Sequence, residues 1–425
     1  MVRLITMLSR RSPRAAGTFA IAALATVVLS SCGLGSSAAQ HGTSPGADEA
    51  TTRAAKVTIA PADQSQNVPL DSPVQVSVTS GRLASVTLQE DGGGAVEGAM
   101  ADGNQAWTYA SGLDSNAHYT VTAVATGTNG KRTTVQAAFG TLTAQDKLTT
   151  DVSPSDGDTV GVGEPIMLHF NNDIPDSRKA ALLERIQVQS TPGVLGAWHW
   201  VDASDVHFRT QNYWPVGTKV SVNATLNGFN AGNGVWGLGN WSESFTVGNK
   251  HVSTVDNNSH QMNVYENDKL IDTWPVSMGK QGFETIQGTL FVRYKLYKVK
   301  MQSCQTFGGA ACVPGAENYY NDYVYYDTAI STTGFYIHSA PWDLGDQGVD
   351  NVSHGCVNLS PERATTFYNW SLPGDIVIIT NTGNDATYAS GEGDWQLNFA
   401  QYNNTAGVGN VWTGAGGAEG RPGQV

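Results

Sequence analysis

From Lys56 onward the chain alternates apolar and polar residues in short runs. Val57 and Ile59, then Val74, Val76 and Val78, then Val86 and Leu88 each skip one position. A period of two places every other side chain on one face, which specifies half-buried strands. Turn clusters separate the runs: Asp91-Gly92-Gly93-Gly94 and Thr128-Asn129-Gly130. The pattern then repeats. Pro61-Ala62-Asp63 matches Pro154-Ser155-Asp156, and Phe139-Gly140-Thr141 matches Phe245-Thr246-Val247. A repeat of about 100 residues built from short alternating strands reads as two tandem immunoglobulin-like β-sandwiches, over 56–148 and 149–250. The second copy carries insertions, one of them a helical stretch over Ser177–Glu184. Aromatic residues make up 9% of the 425, too many for a disordered chain. Lys plus Arg total 24 against 37 acidic residues, a net charge of −13 that excludes a nucleic-acid binder. Trp198-His199-Trp200 and Trp214 read as sandwich packing ahead of sugar stacking. The four His of the sandwiches show no metal-ligand spacing.

A third unit, 251–382, is also mostly β. Val252 through Leu270 suggest two strands joined through Tyr265-Glu266-Asn267-Asp268, followed by strands at Gly288–Val292, Tyr323–Tyr326 and Gly334–His338. Ser360-Pro361-Glu362 opens one helix, with Ser as N-cap, Pro at the first helical position and an acid in the first turn. Ile376–Ile379 is a buried strand. The fold class is therefore mainly β, with one or two short helices in the third unit. The tail, 383–425, carries Trp395, Phe399 and Trp412 for partial docking, and is expected to be unstructured past Trp412.

The N-terminus has Arg3, Arg10, Arg11 and Arg14, then an apolar stretch from Thr18 to Leu29. That is too short to span a membrane and reads as a secretory signal, 1–31. Leu29-Ser30-Ser31-Cys32 resembles a bacterial lipobox, which implies cleavage and lipidation at Cys32. The product would be an exported protein anchored to the outer face of the cytoplasmic membrane, within the wall. Residues 33–55, rich in Gly, Ser, Ala and Thr, complete a tether over 32–55. Losing the leader removes four arginines and makes the chain still more acidic.

Chemistry concentrates in Ile337-His338-Ser339-Ala340-Pro341-Trp342 and Ser353-His354-Gly355-Cys356-Val357-Asn358. A thiol reacts as thiolate, and a neighbouring His can take its proton. In an extended run, His354, Cys356 and Asn358 would share a face, and Gly355 would let its N–H join that of Cys356 at an oxyanion. Two other readings stay open on these residues alone: a zinc site on His338, His354 and Cys356, and a buried inert cysteine.

The pattern His, fourteen residues, Ser-His-Gly-Cys-Val-Asn resembles the signature of the L,D-transpeptidase (YkuD-type) catalytic domain. The lipobox, the sandwiches and Asp394-Trp395 resemble its mycobacterial-type members. The resemblance implies exchange of the terminal D-residue of a peptidoglycan tetrapeptide stem for the side-chain amine of another stem, giving 3→3 cross-links. It implies no cofactor and no metal, with carbapenem β-lactams as covalent inhibitors. By position, Cys356 matches the nucleophile and His338 the base, held by the Ser339 carbonyl. His354 and Gly355 match the oxyanion wall. Tyr320, Thr333, Gly334, Trp342 and Asn358 match substrate contacts. Lys280, Arg293 and Lys300 are candidates to meet the stem carboxylate.

The stretch between Met301 and Tyr320 departs from the family by extra length and by Cys304 and Cys312. In an oxidising compartment that pair is expected to form a disulfide that stiffens a lid over the site. Two further readings compete with transpeptidation: an L,D-carboxypeptidase using the same thioester with water as acceptor, and a non-catalytic wall-spacing lipoprotein. The sandwiches are expected to act as a stalk.

Overall fold

In the computed structural model, residues 52–388, 393–403 and 406–415 are described, so the leader, Cys32 and most of the tether lie outside them. In the first sandwich one sheet orders Lys56–Ala60, Val74–Thr79, Ala106–Tyr109 and Ala99–Met100. The other orders Ser65–Val68, Arg132–Thr141, His118–Gly127, Gly81–Glu90 and Ala95–Val96. The alternating residues meet between them: Val76, Leu88, Trp107, Val121 and Phe139 are buried in one core.

The next two sheets face each other in the same way. One orders Thr150–Ser153, Ile166–Phe170, Asp205–Thr210 and Leu195–Trp200, and the other Asp158–Val160, Trp241–Val247, Lys219–Ala224 and Ile186–Thr191. Trp198, Phe208 and Trp214 fill the space between them. The inserted helix forms at Asp176–Leu183.

The first sheet of this second sandwich is completed from far away in sequence. Asn410–Trp412 pairs antiparallel with Leu195–Ala197. Over 413–415, where no structure was expected, the tail is held: Thr413 is buried and its hydroxyl accepts from the Val194 N–H at 2.9 Å. Two histidines that carried no signal in the sequence anchor this tail. His207 Nδ1 lies 3.1 Å from both Asp394 oxygens, and His199 Nδ1 lies 2.8 Å from the Tyr402 carbonyl. The Arg209 guanidinium stacks over the rings of Trp395 and Tyr402, each at 4.6 Å.

The third unit has two sheets. The first orders Lys269–Pro275, Gln261–Glu266, His251–Asp256, Ile376–Thr380 and Gly288–Phe291. Three strands, rather than the expected two, occupy its start, because a second turn falls at 257–260. The other turn is the tight pair Asn267-Asp268, both at positive φ, as a two-residue hairpin requires. The second sheet orders Tyr294–Gln302, Asn321–Ala329, Tyr336–Ser339 and Val357–Leu359. The helix Pro361–Trp370 is capped by Ser360 and buries Ala364 and Phe367.

This unit does not hang freely from the second sandwich. Phe291 and Ile376 belong to the sandwich's own core cluster. The Gly161 and Gly163 N–H groups donate to the carbonyls of Pro373 and Gly374 at 2.6 and 2.8 Å. A Cβ on Gly161 would fall 2.3 Å from the Asp375 nitrogen, so the close approach requires glycine.

Candidate active site

The second catalytic sheet sets out the reacting groups. Tyr336–Ser339 runs antiparallel to Asn321–Ala329 and parallel to Val357–Leu359, which puts His338 opposite Asn358. Cys356 comes immediately before that last strand. A cleft of about 470 Å³ opens over this edge. Seven of the expected residues line it: Tyr320, Gly334, His338, Trp342, His354, Cys356 and Asn358. Ser339 contributes its carbonyl from behind. Thr333 turns away, its N–H and hydroxyl both within reach of Ser331 Oγ, so only Gly334 of that pair meets the cleft.

His338 is 3% exposed, and its Nδ1–H donates to the Ser339 carbonyl at 3.1 Å. That bond fixes the tautomer and leaves Nε2 with a free lone pair. Burial pushes its pKa down; the Ser339 carbonyl and the Asp343 charge act in the other direction without cancelling it. The imidazole is therefore neutral at pH 7 and able to accept a proton. Burial, and next the charge of Asp327, push the Cys356 thiol up to about 12, against the Tyr336 backbone N–H that donates to it. The resting pair is thus a neutral thiol beside a neutral imidazole.

Residues 353–356 do not run extended. They form a bend in which Ser353 Oγ accepts the Gly355 N–H at 3.1 Å and donates to the Cys356 carbonyl at 2.7 Å. Gly355 takes φ +122°, and a Cβ there would lie 2.9 Å from Phe335 Cε1. The Gly355 N–H is engaged by Ser353 Oγ. His354, Cys356 and Asn358 still converge on one cleft, through the bend rather than through strand alternation.

Asn358 is held rather than mobile. Its Nδ2 donates to Asp343 Oδ2 at 2.5 Å, while Gln347 Nε2 donates to Asp343 Oδ1 at 2.9 Å. Asn358 Oδ1 is buried and has no hydrogen-bond partner among the described residues. Asp343 and Gln347 were missed by sequence reasoning; Asp343 adjoins Trp342, but nothing marked its direction.

His354 sits in an aromatic surround, 4.9 Å from Phe283, 5.1 Å from Tyr320 and 6.2 Å from Phe307, measured between ring centres. Its Nε2 lies 3.3 Å from Asn318 Oδ1, which also accepts from Lys280 Nζ at 2.9 Å. Burial and the nearby Lys280 charge push its pKa down. Phe307 comes from the lid helix Ser303–Phe307, and a disulfide joins Cys304 to Cys312 across that lid. Gln305 and Thr306 of the same loop line the cleft. Of the three candidate cations, Lys300 lines the cleft and Lys280 stands behind His354. Arg293 instead packs on Phe291 and acts on Asp394, so it does not face the substrate. Among the described residues no group of three His, Cys, Asp or Glu could hold a metal ion.

A bacterial Ig domain model matches residues 65–230, and an L,D-transpeptidase catalytic domain model matches 250–379. L,D-transpeptidase 2 of Mycobacterium tuberculosis is 35% identical over 348 residues, covering 82% of this chain and 84% of that one. L,D-transpeptidase 5 of the same species is 30% identical over 354 residues, covering 81% and 76%. A solved L,D-transpeptidase in complex with imipenem matches 55% of this chain and 99% of its own, at 28% identity and a TM-score of 0.47. The chain belongs to the L,D-transpeptidase family. It is a peptidoglycan cross-linking transpeptidase with an Ig-like region ahead of its catalytic domain.

Proposed function

We propose that Cys356 is the nucleophile of this transpeptidase, working through a thioester with His338 as its base. One observation carries the reading: the Cys356 thiol lies in the cleft where His338, tied at Nδ1 to a carbonyl, offers Nε2. The thiol gives its proton to Nε2 as sulfur bonds to the carbonyl carbon preceding the donor stem's terminal D-residue. Backbone N–H groups at Gly355 and Cys356 hold the oxyanion. The C–N bond then breaks, and His338 returns the proton to the departing amine. An amine from a second stem attacks the thioester, again losing its proton to His338, and the thiol is regenerated in a 3→3 cross-link. Because the resting pair is neutral, proton transfer accompanies attack and is not completed before it. A strained β-lactam ring of the carbapenem class would acylate the same sulfur and stay there.

Asn358, fixed by Asp343, forms part of the cleft wall beside the stem. Gly334 and Trp342 flank the stem, and Lys300 meets a carboxylate. The N-terminal leader and the lipobox-like Leu29-Ser30-Ser31-Cys32 support export and lipid anchoring at the outer face of the cytoplasmic membrane. The shared core of second sandwich and catalytic unit suits a rigid mount for work within the wall.

Mass spectrometry of the purified protein with a disaccharide tetrapeptide tests the chemistry. The expected product is a cross-linked dimer; accumulation of tripeptide alone would replace transpeptidation by hydrolysis. Cys356→Ala should abolish both the dimer and the carbapenem adduct, and survival of either would remove the cysteine from the mechanism.

A further inference from the structure

Beneath the cleft lies a carboxyl group that the mechanism does not use. Asp327 is 0% exposed, and neither of its carboxyl oxygens has a hydrogen-bond partner among the described residues. Its position comes from a β-bulge. In the pairing of Asn321–Ala329 with Tyr336–Ser339, Tyr325 faces Ser339 and Thr328 faces Ile337. Two residues, Tyr326 and Asp327, therefore stand opposite one, His338. Tyr326 takes φ +53° to make room. Bulges of this kind re-aim side chains beside active sites.

The titratable groups around Asp327 can be named element by element. From Tyr336–Ser339 come Tyr336, whose phenol feels the Asp327 charge, and His338 across the bulge. From the bend before Val357 comes Cys356, which also feels it. The neighbouring strand places Leu296 directly opposite and contributes Tyr294, hydrogen-bonded to Tyr336. Lys295 on that strand spends its ammonium on the carbonyls of Tyr368 and Ser371. The helix Pro361–Trp370 brings Tyr368, 5.7 Å from Tyr326. No cation is paired with Asp327 among these groups.

We propose that Asp327 is a positioning residue that acts through Cys356 as an electrostatic brake: the uncharged carboxyl lets the sulfur lose its proton, and the carboxylate opposes it. Two negative charges in one dry pocket without a cation repel strongly. Burial keeps the Asp327 carboxyl protonated up to about pH 8, so the brake is off at neutral pH and engages on the alkaline side. An ordinary thiol would become more reactive there. The inference rests on Cys356 as nucleophile for its catalytic meaning, but not for its measurement.

The test follows two reactions of the full-length protein from about pH 6 to about pH 10. One is iodoacetamide alkylation, read by mass on the Cys356 peptide; the other is acylation by a carbapenem. Above about pH 8 the wild-type alkylation rate should climb less steeply and flatten, while Asp327→Asn and Asp327→Ala keep rising, differing from wild type by roughly tenfold at the alkaline end. At about pH 6 all three should alkylate at similar rates, since the carboxyl is neutral there. Superimposable alkylation profiles would overturn the proposal, as would a flattening above about pH 8 that persists in both variants. Retention of the carbapenem adduct in Cys356→Ala would sink the nucleophile assignment alone, because alkylation still reports the pairing of Asp327 with the thiol.

Discussion

Two buried aspartates in this protein have opposite fates. Asp394 is 2% exposed, and Asp327 is 0% exposed. Burial raises the pKa of both. At Asp394, however, the His207 charge and hydrogen bond and the Tyr402 hydroxyl at 2.7 Å outweigh it, and its carboxyl is held below the ordinary range. At Asp327 nothing answers, and the carboxyl is pushed up to about 8. Partners, rather than depth, decide whether a buried acid carries charge. In the docked tail Asp394 is paired, by His207 and Tyr402. Behind the cleft an acid stays unpaired near the Cys356 thiol, as a functional site tolerates.

The comparison can be broken most forcefully at the paired acid. Asp394→Ala leaves His207 and Tyr402 buried without their acceptor and should lower stability by roughly 3–5 kcal/mol in urea unfolding at pH 7. A loss near zero would mean the pairing is ornamental. The two acids should also give opposite pH slopes. Asp394 has a depressed pKa, so its contribution is present above about pH 4 and is lost as the pH falls below that. Asp327 has a raised pKa, so the native state binds its proton more tightly than the unfolded chain between about pH 4 and about pH 8. Stability therefore declines across that window, and Asp327→Asn should relieve roughly 2–3 kcal/mol of the decline. Parallel slopes in the two proteins would show that Asp327 is already charged.

A smaller effect is expected at the lid. Cys304→Ser should cost about 2 kcal/mol in the chain-entropy picture and raise hydrogen exchange over 303–312. It should also change the carbapenem acylation rate; unchanged exchange and rate would leave the bridge without a role at the cleft. The smallest effect tests how Asp394 shares its partners. Tyr402→Phe removes one hydroxyl donor while His207 remains, for a loss of about 1.5 kcal/mol by the same unfolding measurement.

Much of the site was legible because its residues lie close in sequence. His338, Trp342, His354, Cys356 and Asn358 fall within 21 positions, and it was their resemblance to a family signature that chose acyl transfer over a zinc site or an inert thiol. What surrounds them was not legible. Asp343 supports Asn358 only because a turn folds it back, and Asn318 reaches His354 from 36 positions away. The bond from the Gly355 N–H to Ser353 Oγ was not legible either, since the bend and not composition sets that contact. Arg293 looked like a substrate cation, yet it lies in the short link between two strands, packed on Phe291 and away from the cleft lining.

The alternating runs, the Gly-rich turns and the Ser360-Pro361 cap determined by themselves that this chain would be mainly β, with a capped helix after the cysteine, since those signals act over a few residues. Only the tertiary structure decided which charges survive burial. Asp327 and Asp394 are the same residue in the sequence. One meets a histidine and a tyrosine carried in by the tail and the second sandwich; the other is turned inward by one extra residue in a strand.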